Sequence, residues 1–251
     1  MDPALLTRQL DSALTIRGKG RGGIMILDAG TVTLACRKYV HGGVLRAVTG
    51  KMFLSGLRAL KEMEITSYLR EMGFPVVDPF AVIVEDRILT KRLYFITVFE
   101  EEATDLLKFL AESGRMARYR KIRKLAEHIR QLEVLGIYHP DLHLNNVLIA
   151  RDDKEMKFLD FDRSSRGNVT KKEVTNMIFR LNRYAEKMEK DGIITFTMRE
   201  RMLFLRAYQR LSGFDIILEV EKKAKTKKFT SRLGWFIERL LYNNRRSNRQ
   251  L

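Results

Sequence analysis

Cysteine and long apolar runs are the two features that this 251-residue chain most clearly lacks. The single cysteine, Cys36, excludes an internal disulfide framework and any metal site built from several cysteines, and it is consistent with a reducing compartment. No stretch of about 18 uncharged apolar residues occurs, and the N-terminal segment MDPALLTRQLDSALTIR contains acids and no small-residue cleavage site. We therefore predict neither a membrane span nor a signal peptide, and expect a cytoplasmic protein.

Acidic residues are almost missing from the C-terminal end. The formal net charge is +16, and residues 222–251 contain ten lysines and arginines against one acid, Glu238. This excess predicts an anionic partner, whether nucleic acid, anionic lipid or a phosphorylated substrate, although a solvated terminus that keeps the protein soluble explains the charge equally well. Within this tail, RLGWFIERLLYNN has apolar residues at helical spacing. It predicts a helix that packs on the main body, with insertion into a membrane surface as the alternative.

The hydrophobic content of 45% is enough for a substantial core, and the length suits one large domain or two smaller lobes. The first hundred residues read as strands punctuated by glycine, whereas the remainder has helical periodicity. No internal repeat or low-complexity linker interrupts the chain, so the change in composition at residues 100–103 is the best candidate for a hinge. The predicted fold class is α+β, with a β-rich N-lobe over residues 1–101 and a mainly helical C-lobe over residues 102–251.

Individual elements follow from the same patterns. GIMILDAGTVTLACRKYV predicts a hairpin that turns near residues 28–30, and AVIVEDRILTKRLYFITVF predicts two more strands. Between them, residues 53–72 predict a helix that a glycine and a proline terminate. Further helices are expected over residues 105–113 and 119–135. The apolar residues expected to form the buried face of the first helix are Leu57, Leu60, Ile65, Leu69 and Met72.

Phosphoryl transfer requires a backbone cradle for phosphates, a cation on them, oxygen ligands for magnesium and a carboxylate that orients the attacking hydroxyl. In GKGRGG, Gly18, Gly20 and Gly23 match the spacing G-x-G-x-x-G, with Gly22 inside it, and the segment precedes a strand. Backbone N–H groups there can close over phosphates, although a flexible turn explains the glycines nearly as well. A Rossmann dinucleotide site has the opposite order, with a strand before the glycines and a helix after them.

A cation for the phosphates is expected on the second strand of the hairpin. TLACRKY places Arg37 there, in the position where protein kinases have the phosphate-binding lysine of V-A-I-K. Such a cation needs a carboxylate partner on the following helix. Glu62 shares the inward face with Ile65 and Leu69, whereas Glu64 lies on another side, so Glu62 is the predicted partner. The alternative is a surface arginine and a surface glutamate that do not meet.

The most specific motif is HPDLHLNNVLI at residues 139–149. It aligns without a gap on the kinase catalytic loop H-R-D-L-x-x-x-N and places His139 first, Asp141 at the catalytic base and Asn146 at the magnesium ligand. FLDFDRS follows and places Asp160 where kinases have the magnesium-binding aspartate of D-F-G. An anion at Asp141 can orient the proton of an attacking hydroxyl, and Asn146 and Asp160 offer hard oxygens to magnesium. His139 is expected to brace the loop; a helix-capping aspartate among ordinary turn residues is the alternative explanation.

Together these motifs make the chain resemble the lipopolysaccharide core kinases of the protein-kinase-like superfamily, most closely the 3-deoxy-D-manno-octulosonic acid (Kdo) kinases. The resemblance covers residues 18–185 and implies a bilobal protein-kinase-like fold. The segments that carry it are GRG at 20–22, CRKYVHGG at 36–43, GFPVV at 73–77, GIYHPDLHLNNVLI at 136–149, FLDFDRS at 158–164 and NMIFRLNRY at 176–184.

The resemblance implies transfer of the γ-phosphate of ATP, with Mg²⁺ as cofactor, to a hydroxyl of Kdo in the lipopolysaccharide inner core, at the cytoplasmic face of the inner membrane. The acceptor is then an anionic glycolipid, and the basic tail becomes a peripheral contact with anionic membrane. Nucleic acid is not expected as a partner. The short segment between Asp160 and Lys171, which no A-P-E motif follows, argues against a protein substrate.

One departure from the family pattern, together with a motif shared with other enzymes, keeps other functions open. His143 replaces the asparagine that is usual in the family, and D-L-H-x-x-N is also found in aminoglycoside and choline phosphotransferases. Heptose, a small soluble alcohol or an aminoglycoside is therefore an alternative acceptor, although CRKYVHGG and the lack of a large helical insert argue against the aminoglycoside enzymes. A non-catalytic kinase-like module that binds anionic membrane or nucleic acid through its tail is the other alternative. The complete set of Asp141, Asn146 and Asp160 argues against it.

Overall fold

The chain divides into two compact units. The structure of the protein is a computed structural model that describes residues 14–16, 23–40, 53, 55–86, 88, 90–151 and 155–226. The first unit contains residues 1–104 and 147–164, and the second contains residues 105–146 and 165–251. The first unit therefore takes in a short segment that follows the HPDLHLNN motif in the sequence.

The first unit is built on a five-stranded antiparallel sheet. Its strands are β1 (Leu14–Ile16), β2 (Ile24–Asp28), β3 (Thr33–Lys38), β4 (Pro79–Asp86) and β5 (Lys91–Val98), in the spatial order β1-β2-β3-β5-β4. The predicted hairpin is present as β2 and β3, with Asp28 opposite Thr33. The Asp28 side chain accepts a hydrogen bond from the backbone N–H of Gly30 at 2.8 Å, which stabilises the turn.

Both faces of this sheet carry buried side chains. Because successive residues of a strand point to opposite faces, Tyr94 and Ile96 of β5 join one cluster, and Leu93 and Phe95 join the other. Cys36 lies in the first of these clusters, is fully buried, and has no disulfide partner. Burial raises the pKa of its thiol to about 12, so this cysteine is an inert core residue.

Helix α1 (Leu57–Glu71) connects β3 to β4 in the sequence and packs on β4 and β5. The predicted helix is present but begins four residues later than expected, at Leu57, and its predicted buried face was wrong in part. Leu57, Leu60 and Met72 are 72%, 53% and 52% exposed, whereas Ile65 and Leu69 are buried. The buried face of the helix instead contains both apolar and polar residues. A charged Glu62 can be buried there because a cation pairs with it. The buried residues of α1 are Ala59, Glu62, Ile65, Thr66 and Leu69.

Five short strands follow β5: β6 (Thr104–Asp105), β7 (Ile137–Tyr138), β8 (Val147–Ile149), β9 (Met156–Phe158) and β10 (Ser165–Arg166). β8 and β9 form an antiparallel hairpin in the first unit. Phe158, at the end of β9, donates its backbone N–H to the carbonyl of Pro75 at 2.9 Å and accepts from Val77 at 3.3 Å. Its ring packs on Phe74 with centroids 5.1 Å apart. The chain that follows α1 therefore anchors the start of the FLDFDRS segment.

The second unit is mainly helical. Its described helices are α2 (Leu106–Glu112), α3 (Arg115–Val134), α4 (Lys171–Lys190), α5 (Met198–Ser212) and α6 (Ile216–Thr226). Thr170 and Thr197 form capping boxes with Glu173 and Glu200, which fix where α4 and α5 begin. The two helices predicted after residue 104 are present. The second begins four residues earlier than expected, because its first turn is rich in arginine and carries no apolar pattern.

The segment before the HPDLHLNN motif is held by a close backbone contact in the second unit. β7 pairs with β10, and the N–H of Gly167 donates to the carbonyl of Gly136 at 2.8 Å. Gly136 has φ +73°, and a Cβ atom there would lie 2.5 Å from the oxygen of Gly167. Only glycine fits this position, because it alone combines a left-handed backbone with the required clearance.

The α+β class is confirmed by a sheet-based first unit and a helical second unit. In the parts of the chain that the structure describes, no helix is both long and apolar enough to cross a membrane. The tail helix expected near residues 233–241 lies outside the described residues.

Candidate active site

Arg37 of β3 and Glu62 of α1 form an ion pair in the first unit. The Nη2 group of Arg37 donates to both carboxylate oxygens of Glu62 at 2.6 Å, and Glu62 is 1% exposed. The predicted contact is therefore present, and the alternative of two surface residues that do not meet is wrong. The role of this pair in binding phosphate stays a prediction.

Tyr39 completes the surroundings of Glu62. Its hydroxyl donates a hydrogen bond to the Glu62 carboxylate, and the Arg37 guanidinium lies 4.8 Å from the centre of its ring. Burial raises the pKa of Glu62 to about 7; the charge of Arg37 opposes this rise, and nearby Asp160 adds to it. Burial and the adjacent Glu62 also raise the pKa of Tyr39. Glu62 is thus poised to change its charge near neutral pH.

The FLDFDRS segment adds two carboxylates to the same cluster. Asp160 Oδ1 lies 3.2 Å from Arg37 Nη1, and Asp162 Oδ2 lies 4.0 Å from it. Asp162 also forms an ion pair with Arg58, which precedes Glu62 by one turn of α1. Burial, together with the charge of Asp160, raises the pKa of Asp162. Two arginines thus face three carboxylates, which leaves an excess of one negative charge when all are ionised.

Asp160 has the features of a cation ligand. Its φ of +63° is in the left-handed region, which costs a non-glycine residue roughly 1–2 kcal/mol and is a form of strain found at functional sites. Its Oδ1 atom is buried and, although it lies at ion-pair distance from Arg37, it receives no hydrogen bond from any described residue. A hard anionic oxygen in such a state suits Mg²⁺, which commonly takes one or two carboxylates together with substrate phosphates. Within the described residues, no group of three or more His, Cys, Asp and Glu forms a metal site made by protein alone.

The predicted base, Asp141, lies in the second unit beside a cation from α4. Its Oδ1 atom is 3.6 Å from Nη2 of Arg180, and both side chains are partly exposed. Asn146 is nearly buried, and its Nδ2 donates to the backbone carbonyl of Asp141 at 3.1 Å. This bond closes the loop and uses the amide nitrogen of Asn146, not the oxygen that would bind a metal.

Two histidines of the loop have different surroundings. His139 is fully buried, and its backbone N–H donates to the sulfur of Met177 on α4 at 3.3 Å, which fits a position that braces the loop. His143 is partly exposed and stacks on Tyr184, with centroids 4.6 Å apart and planes within 15°. Burial, with the charge of Asp105, raises the pKa of Tyr184. The stacked rings form an aromatic surface in the second unit.

Four residues of these clusters received no role from the sequence. Arg58 and Asp162 form an ion pair although 104 positions separate them, and Arg180 and Tyr184 join the loop from a helix some forty positions further along the chain. Arg58 and Glu62 stand four apart on one helix, as do Arg180 and Tyr184. This i, i+4 spacing is the sequence signal that could have indicated that each pair shares one face of its helix.

The glycine segment is described only at its end. Gly18, Gly20 and Gly22 lie outside the described residues. Gly23 has φ +68° and directly precedes β2. The phosphate cradle therefore stays a prediction.

A strand arginine paired with a helix glutamate, an Asp-Phe-Asp segment after a hairpin and an Asp–Asn loop define a phosphotransferase of the protein-kinase-like class. More narrowly, the chain belongs to the lipopolysaccharide kinase (Kdo/WaaP) family, whose model matches residues 7–208.

Individual proteins similar to this chain include two curated relatives. One is the 3-deoxy-D-manno-octulosonic acid kinase of Pasteurella multocida, which is 29% identical over 203 residues, or 76% of this chain and 82% of the relative. The Vibrio cholerae protein of the same name is 27% identical over 148 residues, or 57% of this chain and 62% of that relative. Among solved structures, the Cydia pomonella granulovirus kinase PK-1 is similar with a TM-score of 0.46 and 13% identity, over 84% of this chain and 72% of that one.

Proposed function

We propose that this protein transfers the γ-phosphate of ATP to a hydroxyl of Kdo in the lipopolysaccharide inner core, with Asp141 as the base. The observation that carries the proposal is the loop of Asp141, closed by Asn146 and accompanied by Arg180, in a chain of the lipopolysaccharide kinase family. A carboxylate that hydrogen-bonds the attacking hydroxyl can orient it and take its proton.

The nucleotide side of the proposal rests on the first unit. Arg37 is the proposed cation for the ATP phosphates, Glu62 holds Arg37 in place, and the glycines of GKGRGG are the proposed cradle. The contact of one guanidinium nitrogen with both oxygens of a buried carboxylate limits the rotamers of Arg37, so its guanidinium is preorganised for a phosphate oxygen. Asn146 and Asp160 are the proposed Mg²⁺ ligands, as their places in the sequence motifs predict, and the metal would neutralise charge on the phosphates.

The residues around Asp141 favour an acidic sugar as the acceptor of the phosphate. The Arg180 side chain is 39% exposed, and its Nη2 lies 3.6 Å from Asp141 Oδ1. An exposed guanidinium beside the proposed base can bind a carboxylate of the acceptor. Kdo carries such a carboxylate, whereas heptose and simple alcohols do not. The stacked His143 and Tyr184 add a flat apolar surface on which a sugar ring can pack.

A lipid-linked acceptor also accounts for the basic tail. We propose that residues 227–251, which lie beyond α6, bring the protein to the anionic cytoplasmic surface of the inner membrane as a peripheral protein. Seven of these residues are lysine or arginine, and Glu238 is the single acid.

The test is transfer of labelled phosphate from ATP to purified Kdo-bearing lipid A precursor in the presence of Mg²⁺. We expect Asp141→Asn to reduce turnover by at least about a thousandfold, because the amide cannot accept the proton. ATP binding and the unfolding temperature should stay unchanged. Asp191→Asn, at the exposed C-terminal end of α4, removes the same charge and should retain full activity.

Three other outcomes would each reject a part of this proposal. ATP binding without labelled lipid would reject Kdo as acceptor and direct the assay to heptose-extended cores and soluble alcohols. If the wild-type protein does not bind ATP in the presence of magnesium, the non-catalytic kinase-like module is favoured. Full activity in Asp141→Asn would remove the proposed base.

A further inference from the structure

A basic groove lies between α3 and α5 in the second unit and contains none of the residues assigned above. Its volume is about 930 Å³. Glu127 is the one acid that lines it, and this side chain forms an ion pair with Lys124 at 3.1 Å. The arginines that line it are Arg115, Arg123, Arg199, Arg206 and Arg210.

The arginines of these two helices fall into two sets. Three arginines outside the groove lining are paired: Arg118 with Glu200 at 2.5 Å, Arg130 with Glu133 at 2.6 Å, and Arg201 with Glu189 at 2.6 Å. The five groove arginines, by contrast, are exposed and make no hydrogen bond or ion pair with any described residue. Acidic partners are therefore available in this unit, but the groove lining contains only Glu127, which pairs with Lys124, so the charge of its five arginines is uncompensated.

Apolar side chains accompany this charge. Met116 and Leu211 line the groove and are 65% and 49% exposed, and Met202 and Leu203 also line it. Large exposed apolar groups that share a groove with unpaired arginines form an amphipathic surface, which is the pattern of a protein face that meets lipid. A nucleic-acid groove would instead offer several aromatic rings for base stacking, and Tyr119 is the one aromatic residue in the lining.

We propose that this groove docks the protein on a bilayer by taking an anionic phospholipid. The arginines bind the phosphate oxygens of the headgroup, and the methionine and leucine side chains contact the first part of the acyl chains. The proposal is independent of the sugar acceptor and of the C-terminal tail, because it rests on charge and apolar exposure within α3 and α5.

The experiment is co-sedimentation of the full-length protein with vesicles of phosphatidylcholine, alone or mixed with phosphatidylglycerol. We expect Arg199→Gln/Arg206→Gln to weaken binding to the anionic vesicles by about 30-fold, because each basic residue near such a surface contributes about 1 kcal/mol. The matched control is Arg183→Gln/Lys187→Gln, which removes the same charge from the exposed face of α4 and should have a much smaller effect.

A second pair of variants separates lipid docking from simple charge attraction. Met116→Ser/Leu211→Ser keeps every charge, and we expect weaker binding to anionic vesicles with an unchanged dependence on salt. Equal binding by the groove and control variants would overturn the proposal. Loss of binding to a labelled single-stranded oligonucleotide, with vesicle binding intact, would assign the groove to nucleic acid. All these residues are exposed or partly exposed, so each variant should fold, which thermal unfolding checks.

Discussion

At the residue scale, the cluster around Arg37 shows how burial and charge compete. The Glu62 carboxylate has the Nη2 group of Arg37 on both of its oxygens and the hydroxyl of Tyr39 on one, and both contacts favour the charged form. Its pKa is nevertheless raised to about 7, because burial and the nearby Asp160 outweigh those contacts. The cluster carries one negative charge in excess when fully ionised, and either a proton or a bound cation relieves it.

The first prediction concerns the pH dependence of stability. The folded pKa of Glu62 is about 7 and its ordinary value is 4.5, so the folded state binds more protons between these pH values. The contribution of Glu62 to the free energy of unfolding must therefore fall as pH rises through this window. Urea unfolding of the wild type and Glu62→Gln, at intervals from pH 5 to pH 8, should show the wild type losing stability relative to the variant as pH rises. If the difference in the free energy of unfolding between the two proteins does not change with pH, the raised pKa of Glu62 is contradicted.

A second prediction tests Arg180. We expect Arg180→Gln to raise the KM for Kdo-bearing acceptor at least about tenfold, since a charge-assisted hydrogen bond contributes about 1.5–3 kcal/mol. The KM for ATP should change little. The diagnostic comparison uses an acceptor whose carboxylate is methylated: the wild type should discriminate against it, and the variant should not.

Arg183→Gln is the control for Arg180, because Arg183 is an exposed arginine on the same helix. If Arg180 merely orients Asp141, kcat will fall equally for both acceptors and discrimination will persist. That result would leave the acidic-sugar argument without support.

At the element scale, the pairing of β7 with β10 holds the chain directly before the loop of Asp141, the proposed base. A third prediction uses two glycines with the same left-handed backbone, Gly136 at φ +73° and Gly192 at φ +70°. A Cβ atom at Gly192 meets nothing within 4 Å, so Gly192→Ala should cost only the backbone term of about 1 kcal/mol. Gly136→Ala adds a clash with Gly167 and should cost about 3 kcal/mol or more.

Thermal or urea unfolding measures both glycine variants. Gly136→Ala should also reduce phosphate transfer, because the loop of Asp141 begins three residues later. Equal stability of the two variants would mean that the pairing of β7 with β10 accommodates the added Cβ atom without lowering the free energy of unfolding.

At the scale of the whole molecule, charge is distributed between a described groove and a tail outside the described residues. Deleting residues 227–251 leaves α6 intact and removes seven basic residues and Glu238. The fourth prediction is that this deletion weakens binding to anionic vesicles most at low salt, because exposed charges are screened beyond about 8 Å at physiological ionic strength. Turnover of a soluble Kdo acceptor should be unaffected. Unchanged vesicle binding would identify the tail as a solvated terminus.

Much of this fold can be predicted from local sequence patterns. The hairpin of β2 and β3, the strands β4 and β5, and the helices α1 to α3 all follow from periodicity and glycine signals, since these depend on near neighbours in the chain. The choice of Glu62 over Glu64 also came from helical periodicity. The same reasoning failed for Leu57 and Leu60, because apolar character was taken to decide which face of α1 is buried.

The sequence by itself determined the order of the residues on which the proposed chemistry depends: Arg37 on a strand, Glu62 on the next helix, and Asp141, Asn146 and Asp160 in two loops. The tertiary structure alone decided which of these charges meet, and it added Arg58, Asp162 and Arg180. An ion pair between residues 104 positions apart depends on the path of the backbone, and no local pattern encodes that path. The same holds for the groove between α3 and α5, where the packing of two helices separates paired arginines from unpaired ones.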